Sequence, residues 1–331
     1  VRILVEQHHG IGDVVHMLPM LEQLRKTYYY ATIDLLVGSS TTEYIAGISG
    51  LVDNIYRLPK GRLKEIVLAI QLRKYNYDIG ILSVITNEKM GQIFLWLSGC
   101  RKLIFETSAP PFFPQTSLTA TRNSNMHRVV RNIRLGGLAG ADTVFLRPEL
   151  KMNCKKTKKN CKRIVGIVID VNKTRGVFAK LIPLDKQKEI IKSLLNENKI
   201  EIWLFGNPHE LNCDFTDEIK KYPGRIHNFI GKTTIKELLD LLQQCDIVVG
   251  GDTGPIHVAD ALNIATLTIF GPTSPSQFRP LGSKAMIYSL GVSCQYCYGT
   301  TRIISCKYRK CLRDIDVKQI VEKIIKMLSR K

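Results

Sequence analysis

Val248-Val-Gly-Gly-Asp-Thr-Gly-Pro-Ile-His-Val-Ala-Asp260 carries the strongest structural signal in the chain. An apolar run ends at Val249. The two glycines after it let the backbone turn and come close to a ligand. Thr253 suits a helix N-cap and Pro255 the first helical turn. A strand to Val249, a turn over Gly250–Pro255 and a helix over Ile256–Leu262 are therefore predicted. In doubly wound sheets ligands gather at the carboxyl ends of strands, and free N–H groups at a helix start attract phosphate. The segment is expected to cradle a pyrophosphate, although an ordinary strand–helix turn uses the same residue types. His257 suits either a ligand contact or a satisfied core histidine.

Outward from this turn the same alternation recurs. Strands are predicted at Ile3–Val5, Ile33–Val37, Ile79–Leu82 and Leu103–Phe105. Between them, Val14, Val15, Leu18, Leu21 and Leu24 mark one helix. Leu63, Ile66, Val67 and Ile70 mark a second, and Ile93, Phe94 and Leu97 a third. Ser108–Ser124, with three prolines and many hydroxyls, reads as a loop, and Met126–Leu135 as a helix stopped by Gly136 and Gly137. Lys151–Arg163 holds seven basic residues and no acid, and reads as a linker. The alternation then restarts. Strands are predicted at Ile164–Ile169, Ile200–Phe205, Asp246–Val249 and Ala265–Phe270, and helices at Leu184–Leu195 and Glu210–Lys220. Thr234 and Glu237 form a capping box opening a helix that runs to Gln244. Asp316–Leu328 is an amphipathic C-terminal helix with Val317, Ile320, Val321 and Ile324 on one face. Strands alternating with helices imply parallel βαβ units. The simplest α/β architecture is two such domains facing each other across a cleft: residues 1–150, a linker at 151–163, 164–315, and the helix 316–331.

The 331 residues carry 48 Lys and Arg against 29 Asp and Glu, a formal charge of +19. That excess favours an anionic partner: nucleic acid, an acidic membrane surface or a phosphorylated substrate. Nucleic acid lacks further support, because no zinc-finger histidine pair, basic heptad region or aromatic RNA-binding signature is present. No apolar run is long enough to span a bilayer. The N-terminus reads as a strand rather than a signal peptide, so a cytoplasmic location is expected. Nine cysteines, an odd count, argue against a disulfide framework. Four of them, Cys294, Cys297, Cys306 and Cys311, fall close enough in sequence to hold a structural Zn²⁺ or an iron. Reduced thiols and a disulfide are the alternatives.

A second turn, His8-His-Gly-Ile-Gly-Asp13, also follows a strand and opens a helix. Its Asp13 is either a helix-terminal charge or a general base. Gly12-Asp13-Val14-Val15 with Leu18-Pro19, then Asp252 to Ala259, then Phe270-Gly-Pro-Thr273 occur in an order that resembles glycosyltransferase family 9, the heptosyltransferases. That resemblance implies the two-Rossmann-domain GT-B fold. It implies inverting transfer of heptose from an ADP-heptose donor to a phosphorylated, lipid-linked saccharide of the lipopolysaccharide inner core, with no cofactor needed for catalysis. Asp13 would take the acceptor proton. Lys180, in Lys180-Leu-Ile-Pro183, would stabilise the leaving ADP. Glu210 would hold a ribose hydroxyl, and Asp252, Thr253, Gly254, Pro255, His257, Gly271 and Thr273 would bind the donor. An anionic acceptor at the inner membrane face gives the charge a purpose, with basic residues near Arg122–Arg134 and in the C-terminal helix as phosphate contacts. The rivals are transfer to protein hydroxyls, another nucleotide sugar, and a sugar-nucleotide- or nucleic-acid-binding protein without catalysis.

Overall fold

In each half of the chain, buried β-branched runs alternate with helical periods and assemble one parallel sheet. The computed structural model describes residues 1–84, 88–152, 162–169, 180–207 and 214–329. The chain divides into two compact units, Val1–Lys151 and Met152–Lys331. The first contains β1 (Arg2–Gln7), β2 (Thr32–Val37), β3 (Asn54–Arg57), β4 (Ile79–Leu82), β5 (Lys102–Thr107) and β6 (Ser117–Thr121), in the order β3-β2-β1-β4-β5-β6. Its helices are α1 (Ile11–Thr27), α2 (Ser40–Ser49), α3 (Arg62–Leu72), α4 (Glu88–Leu97) and α5 (Arg128–Leu138). The second unit contains β7 (Arg163–Val168), β8 (Ile200–Phe205), β9 (Ile226–Asn228), β10 (Ile247–Gly251), β11 (Ala265–Phe270) and β12 (Ala285–Ser289), in the order β12-β11-β10-β7-β8-β9. Its helices are α6 (Leu184–Leu195), α7 (Thr216–Lys221), α8 (Ile235–Gln244), α9 (Gly254–Ala261), α10 (Pro275–Phe278), α11 (Arg302–Ser305), α12 (Lys310–Arg313) and α13 (Val317–Ser329). Each sheet thus has the doubly wound order, with its first strand central and covered on both faces. No helix among the described residues is long and apolar enough to cross a membrane.

Sequence and structure part at several places, each with a local cause. Ser108–Ser124 is not all loop: β6 lies within it, parallel to β5. α5 does not stop at Gly136 and Gly137 but runs through them. These glycines clear close neighbours: a Cβ at Gly136 would sit 3.1 Å from Met20 Cγ of α1, and one at Gly137 2.5 Å from Thr143 Cγ2. The left-handed residue after the helix is Gly140, at φ +92°. Likewise β10 extends through Gly250 and Gly251, so the turn before α9 shrinks to Asp252 and Thr253. The helix expected at Glu210–Lys220 is seen as α7, and residues 208–213 lie outside the described residues. So does most of the 151–163 linker, of which Lys151, Met152, Lys162 and Arg163 are described. The buried face of α13 (Val317, Ile320, Val321, Ile324) joins the core of the second unit. The capping box forms as expected: Thr234 Oγ1 accepts from the Glu237 N–H, and Glu237 Oε2 accepts from the Thr234 N–H.

One buried polar pairing ties β2, β3 and the approach to β4. Asp34, on β2, is 1% exposed. It accepts from Tyr77 Oη at 2.6 Å and from Asn54 Nδ2 at 2.8 Å. Removing one partner strands a buried carboxylate oxygen. Tyr77→Phe is expected to lower unfolding free energy by about 1–3 kcal/mol, read as a lower urea midpoint. An unchanged midpoint would show that the hydroxyl is dispensable.

Candidate active site

In the second sheet the strand order reverses between β7 and β10, where doubly wound sheets accept ligands. Asp252 leaves β10 at that point and is buried. Its Oδ1 lies 2.9 Å from His257 Nε2, in the first turns of α9. Its Oδ2 accepts from Lys180 Nζ at 3.4 Å. The Lys180 ammonium also stands 4.3 Å from the Tyr298 ring centroid and 5.6 Å from that of Phe278, a cation–π setting. Burial, the largest single influence, pushes the Asp252 carboxyl up. Lys180, His257 and Thr273 together outweigh it and hold the group well below the usual carboxylate range. The result is a buried, ionised aspartate with a lysine on one oxygen and a histidine on the other.

Thr253 takes the N-cap position of α9, yet its side chain makes no cap bond. Its hydroxyl is buried and without a hydrogen-bond partner among the described residues. Gly254 and Pro255, both half-buried, form the start of the helix. The structure therefore brings Lys180, Asp252, Thr253, Gly254, Pro255, His257 and Thr273 into one neighbourhood. Gly271 follows β11, and a Cβ there would meet Leu312 Cγ at 2.7 Å, so close packing already requires a glycine. Glu210 lies outside the described residues. Tyr298 and Phe278 were not legible in the sequence, since nothing in their spacing ties them to Lys180.

In the first sheet the corresponding reversal lies between β1 and β4. Asp13 sits in the first turn of α1, its N–H bonded to the Gly10 carbonyl at 3.0 Å. Its carboxylate is ion-paired with Arg128, the first residue of α5. Three residues along α5, Arg131 makes a buried forked pair with Glu106 at the end of β5, its Nε and Nη2 donating at 2.9 and 2.5 Å to one oxygen. Arg122 lies beside both arginines; burial, then Arg131 and Arg128, lower its pKa. His8 Nδ1 donates to Glu6 Oε1 at 2.8 Å, and this bond raises the His8 pKa against the opposing effect of burial. Burial and then the neighbouring His8 lower that of His9. The basic run Arg122–Arg134 pointed to this region, but not to the pairing of Arg128 with Asp13.

The model of glycosyltransferase family 9 (heptosyltransferase) matches residues 67–307. The chain belongs to glycosyltransferase family 9. Lipooligosaccharide heptosyltransferase 2 of Campylobacter jejuni is 31% identical over 131 residues, 38% of this chain, and the match spans 41% of that relative's length. Lipopolysaccharide heptosyltransferase 1 of Campylobacter coli is 25% identical over 301 residues, covering 82% of this chain and 84% of that protein. Among solved structures, E. coli ADP-heptose lipopolysaccharide heptosyltransferase II superposes with a TM-score of 0.78 at 20% identity, covering 99% of this chain and 98% of that one. E. coli heptosyltransferase WaaC with ADP gives 0.70 at 17% identity, covering 99% and 100%. The iron-containing dodecameric glycosyltransferase TibC of enterotoxigenic E. coli gives 0.62 at 14%, covering 99% and 76%. At these identities the structural likeness is one of fold.

The four clustered cysteines of this family 9 chain differ in exposure. Among the described residues no group of three or more His, Cys, Asp or Glu is placed to hold a metal ion. Cys311 is buried in the second unit's core while Cys306 is exposed. The thiols nonetheless feel one another. Burial and then the neighbouring thiols raise the pKa of Cys297, and the same causes push Cys311 up to about 11.

The Asp252 cluster predicts a pH signature. Its carboxyl stays ionised in the folded state, whereas an unfolded aspartate binds a proton below about pH 4. The cluster's contribution is complete above that value and is lost as pH falls toward the lower folded one. Asp252→Asn should therefore destabilise more at pH 7 than at pH 3. Urea midpoints of both proteins at the two pH values check this; an equal gap at both would contradict it.

Proposed function

We propose that the protein is an inverting glycosyltransferase that moves a heptose from ADP-heptose to a phosphorylated saccharide of the lipopolysaccharide inner core. The observation that carries this reading is the Lys180–Asp252–His257 cluster at the N-terminus of α9, in a family 9 chain. WaaC solved with ADP-2-deoxy-2-fluoro heptose and TibC solved with ADP-D-β-D-heptose support an ADP-sugar as donor.

In this reaction the acceptor oxygen bonds to the anomeric carbon while the bond from that carbon to the diphosphate oxygen breaks. Attack from the face opposite the leaving group inverts the centre. Asp13 takes the hydroxyl proton as that bond forms. The electron pair leaves with ADP, whose added negative charge falls to the Lys180 ammonium and the Gly254 N–H opening α9. Asp252 acts through other groups: it holds Lys180 and His257 in place. Thr253 offers its unpartnered hydroxyl to the donor, and Glu210 a carboxylate to the ribose. Because Arg128 occupies the Asp13 carboxylate, Asp13 is ready to take a proton only when another anion draws that guanidinium away. A phosphate on the acceptor is such an anion, and Arg122 lies beside it. The acceptor's charge would then prepare its own base.

A thermal-shift series with ADP, GDP and UDP should show a shift selective for ADP. A ligand at a hundred times its Kd adds about 2.7 kcal/mol of stability. Asp13→Asn should cut transfer at least about 100-fold while keeping the ADP shift; Lys180→Met should weaken both. A shift selective for GDP or UDP would overturn the donor, and unchanged turnover of Asp13→Asn would overturn the base.

A further inference from the structure

Helix α3 turns its apolar stripe away from the protein. Leu63, Ile66, Val67 and Ile70 follow the helical repeat, and the ordinary expectation is that such a stripe faces the core. Here they are 81%, 41%, 53% and 55% exposed. The side that packs inward is carried by Ala69 and Leu72, which join a core cluster with Phe94 and Leu95 of α4. At about 100° per residue, the exposed stripe covers an arc of roughly 100° on the side of the helix opposite Leu72. Arg62 and Arg73 flank it on one side and Lys64 on the other, with Lys60 and Lys74 at its two ends; all five are exposed. The one acid of the helix, Glu65, is half-buried on the inward side. A groove of about 350 Å³ opens along Leu63, Lys64 and Val67 against Arg57 and Pro59. The adjoining α4 and the loop after β5 expose Met90, Trp96 and Phe112, and Lys89 Nζ lies 5.7 Å from the Phe112 ring centroid.

We propose that this face of α3 seats the protein on an anionic lipid bilayer. An apolar centre with a basic rim matches a bilayer surface, where hydrocarbon lies beneath a layer of phosphate. The long stems of Arg62, Lys64 and Arg73 let their charges reach headgroups while the aliphatic stripe enters the acyl boundary. A second copy is a poorer occupant: it would set one basic rim against another, on chains that each carry +19. The inference names a surface independent of the transfer chemistry, and its test needs no donor or acceptor.

The full chain should co-sediment with vesicles of phosphatidylethanolamine and phosphatidylglycerol, and much less with pure phosphatidylcholine, the difference shrinking as salt rises. The double substitution Leu63→Ser with Val67→Ser should weaken partitioning at least tenfold without moving the melting temperature, because both side chains are exposed. Arg62→Glu with Lys64→Glu should weaken it most at low salt. Equal binding to both vesicle types would overturn the proposal, as would undiminished binding by the serine variant. So would a dimer in sedimentation velocity that the serine substitutions dissolve, in a chain that does not bind vesicles; that result would assign the face to a second copy. An ADP-selective thermal shift that survives in the serine variant would show that the failure of this surface is not a failure of the donor site.

Discussion

A carboxylate that is buried and still ionised constrains everything around it. Taking a charge out of water costs several kcal/mol, and the cost is offset only while its partners stay in place. At Asp252 those partners come from two directions, Lys180 from the segment before α6 and His257 from α9, while Thr273 in the loop after β11 helps hold the carboxylate ionised. The backbone is locked by the same arrangement. A Cβ at Gly251 would stand 3.2 Å from the Lys180 carbonyl, so strand end and lysine approach as closely as the chain allows. At the far end of α9, Asp260 accepts the N–H groups of Leu281 and Gly282. Both ends of this short helix are thereby fixed by aspartates, and the Gly254 N–H at its start holds a settled direction before any ligand arrives; Pro255 has no N–H, and those of Ile256 and His257 bond the Thr253 carbonyl. Preorganised donors of that kind cost no reorganisation when charge develops.

The first unit repeats the strand order but uses charge differently. The two Arg–carboxylate pairs made from α5 are only one helical turn apart, yet they differ in burial. Arg131 and Glu106 have side chains 7% and 3% exposed and fix the end of β5 against α5. Arg128 and Asp13 are 15% and 25% exposed, so solvent or a solute reaches them. The first pair is a strut. The second is open enough for its partners to be exchanged, as the role proposed for Asp13 would require.

Legibility followed physical cause. Strands rich in β-branched, aromatic and other apolar residues, such as β4, β8 and β11, appeared at their observed bounds because such runs have few alternatives. The edge strands β3, β6, β9 and β12 were missed: each lies at a sheet margin, and the first three are short and largely polar. Gly136, Gly137, Gly250 and Gly251 were read as turns. Their function is steric room, which depends on neighbours distant in sequence. The stripe on α3 gave the helix correctly, but periodicity cannot tell which side the protein lies on. In the site, the motif from Asp252 to Ala259 marked the turn from β10 into α9. The rings around Lys180 and the guanidinium on Asp13 come from other elements, and tertiary folding alone brings them there.

The shared strand order also bears on how the chain is made. In each sheet the central strand emerges first from the ribosome. β1 finds β2 early, but its other edge stays open until Ile79 has been synthesised to pair with Ile3. β7 waits likewise for Ile247 to reach Val165. At roughly 5–20 residues per second, each wait lasts seconds. For that time a strand that ends up buried offers a bare edge to whatever else is nearby. Nascent-chain chaperones would meet this protein twice, once for each half.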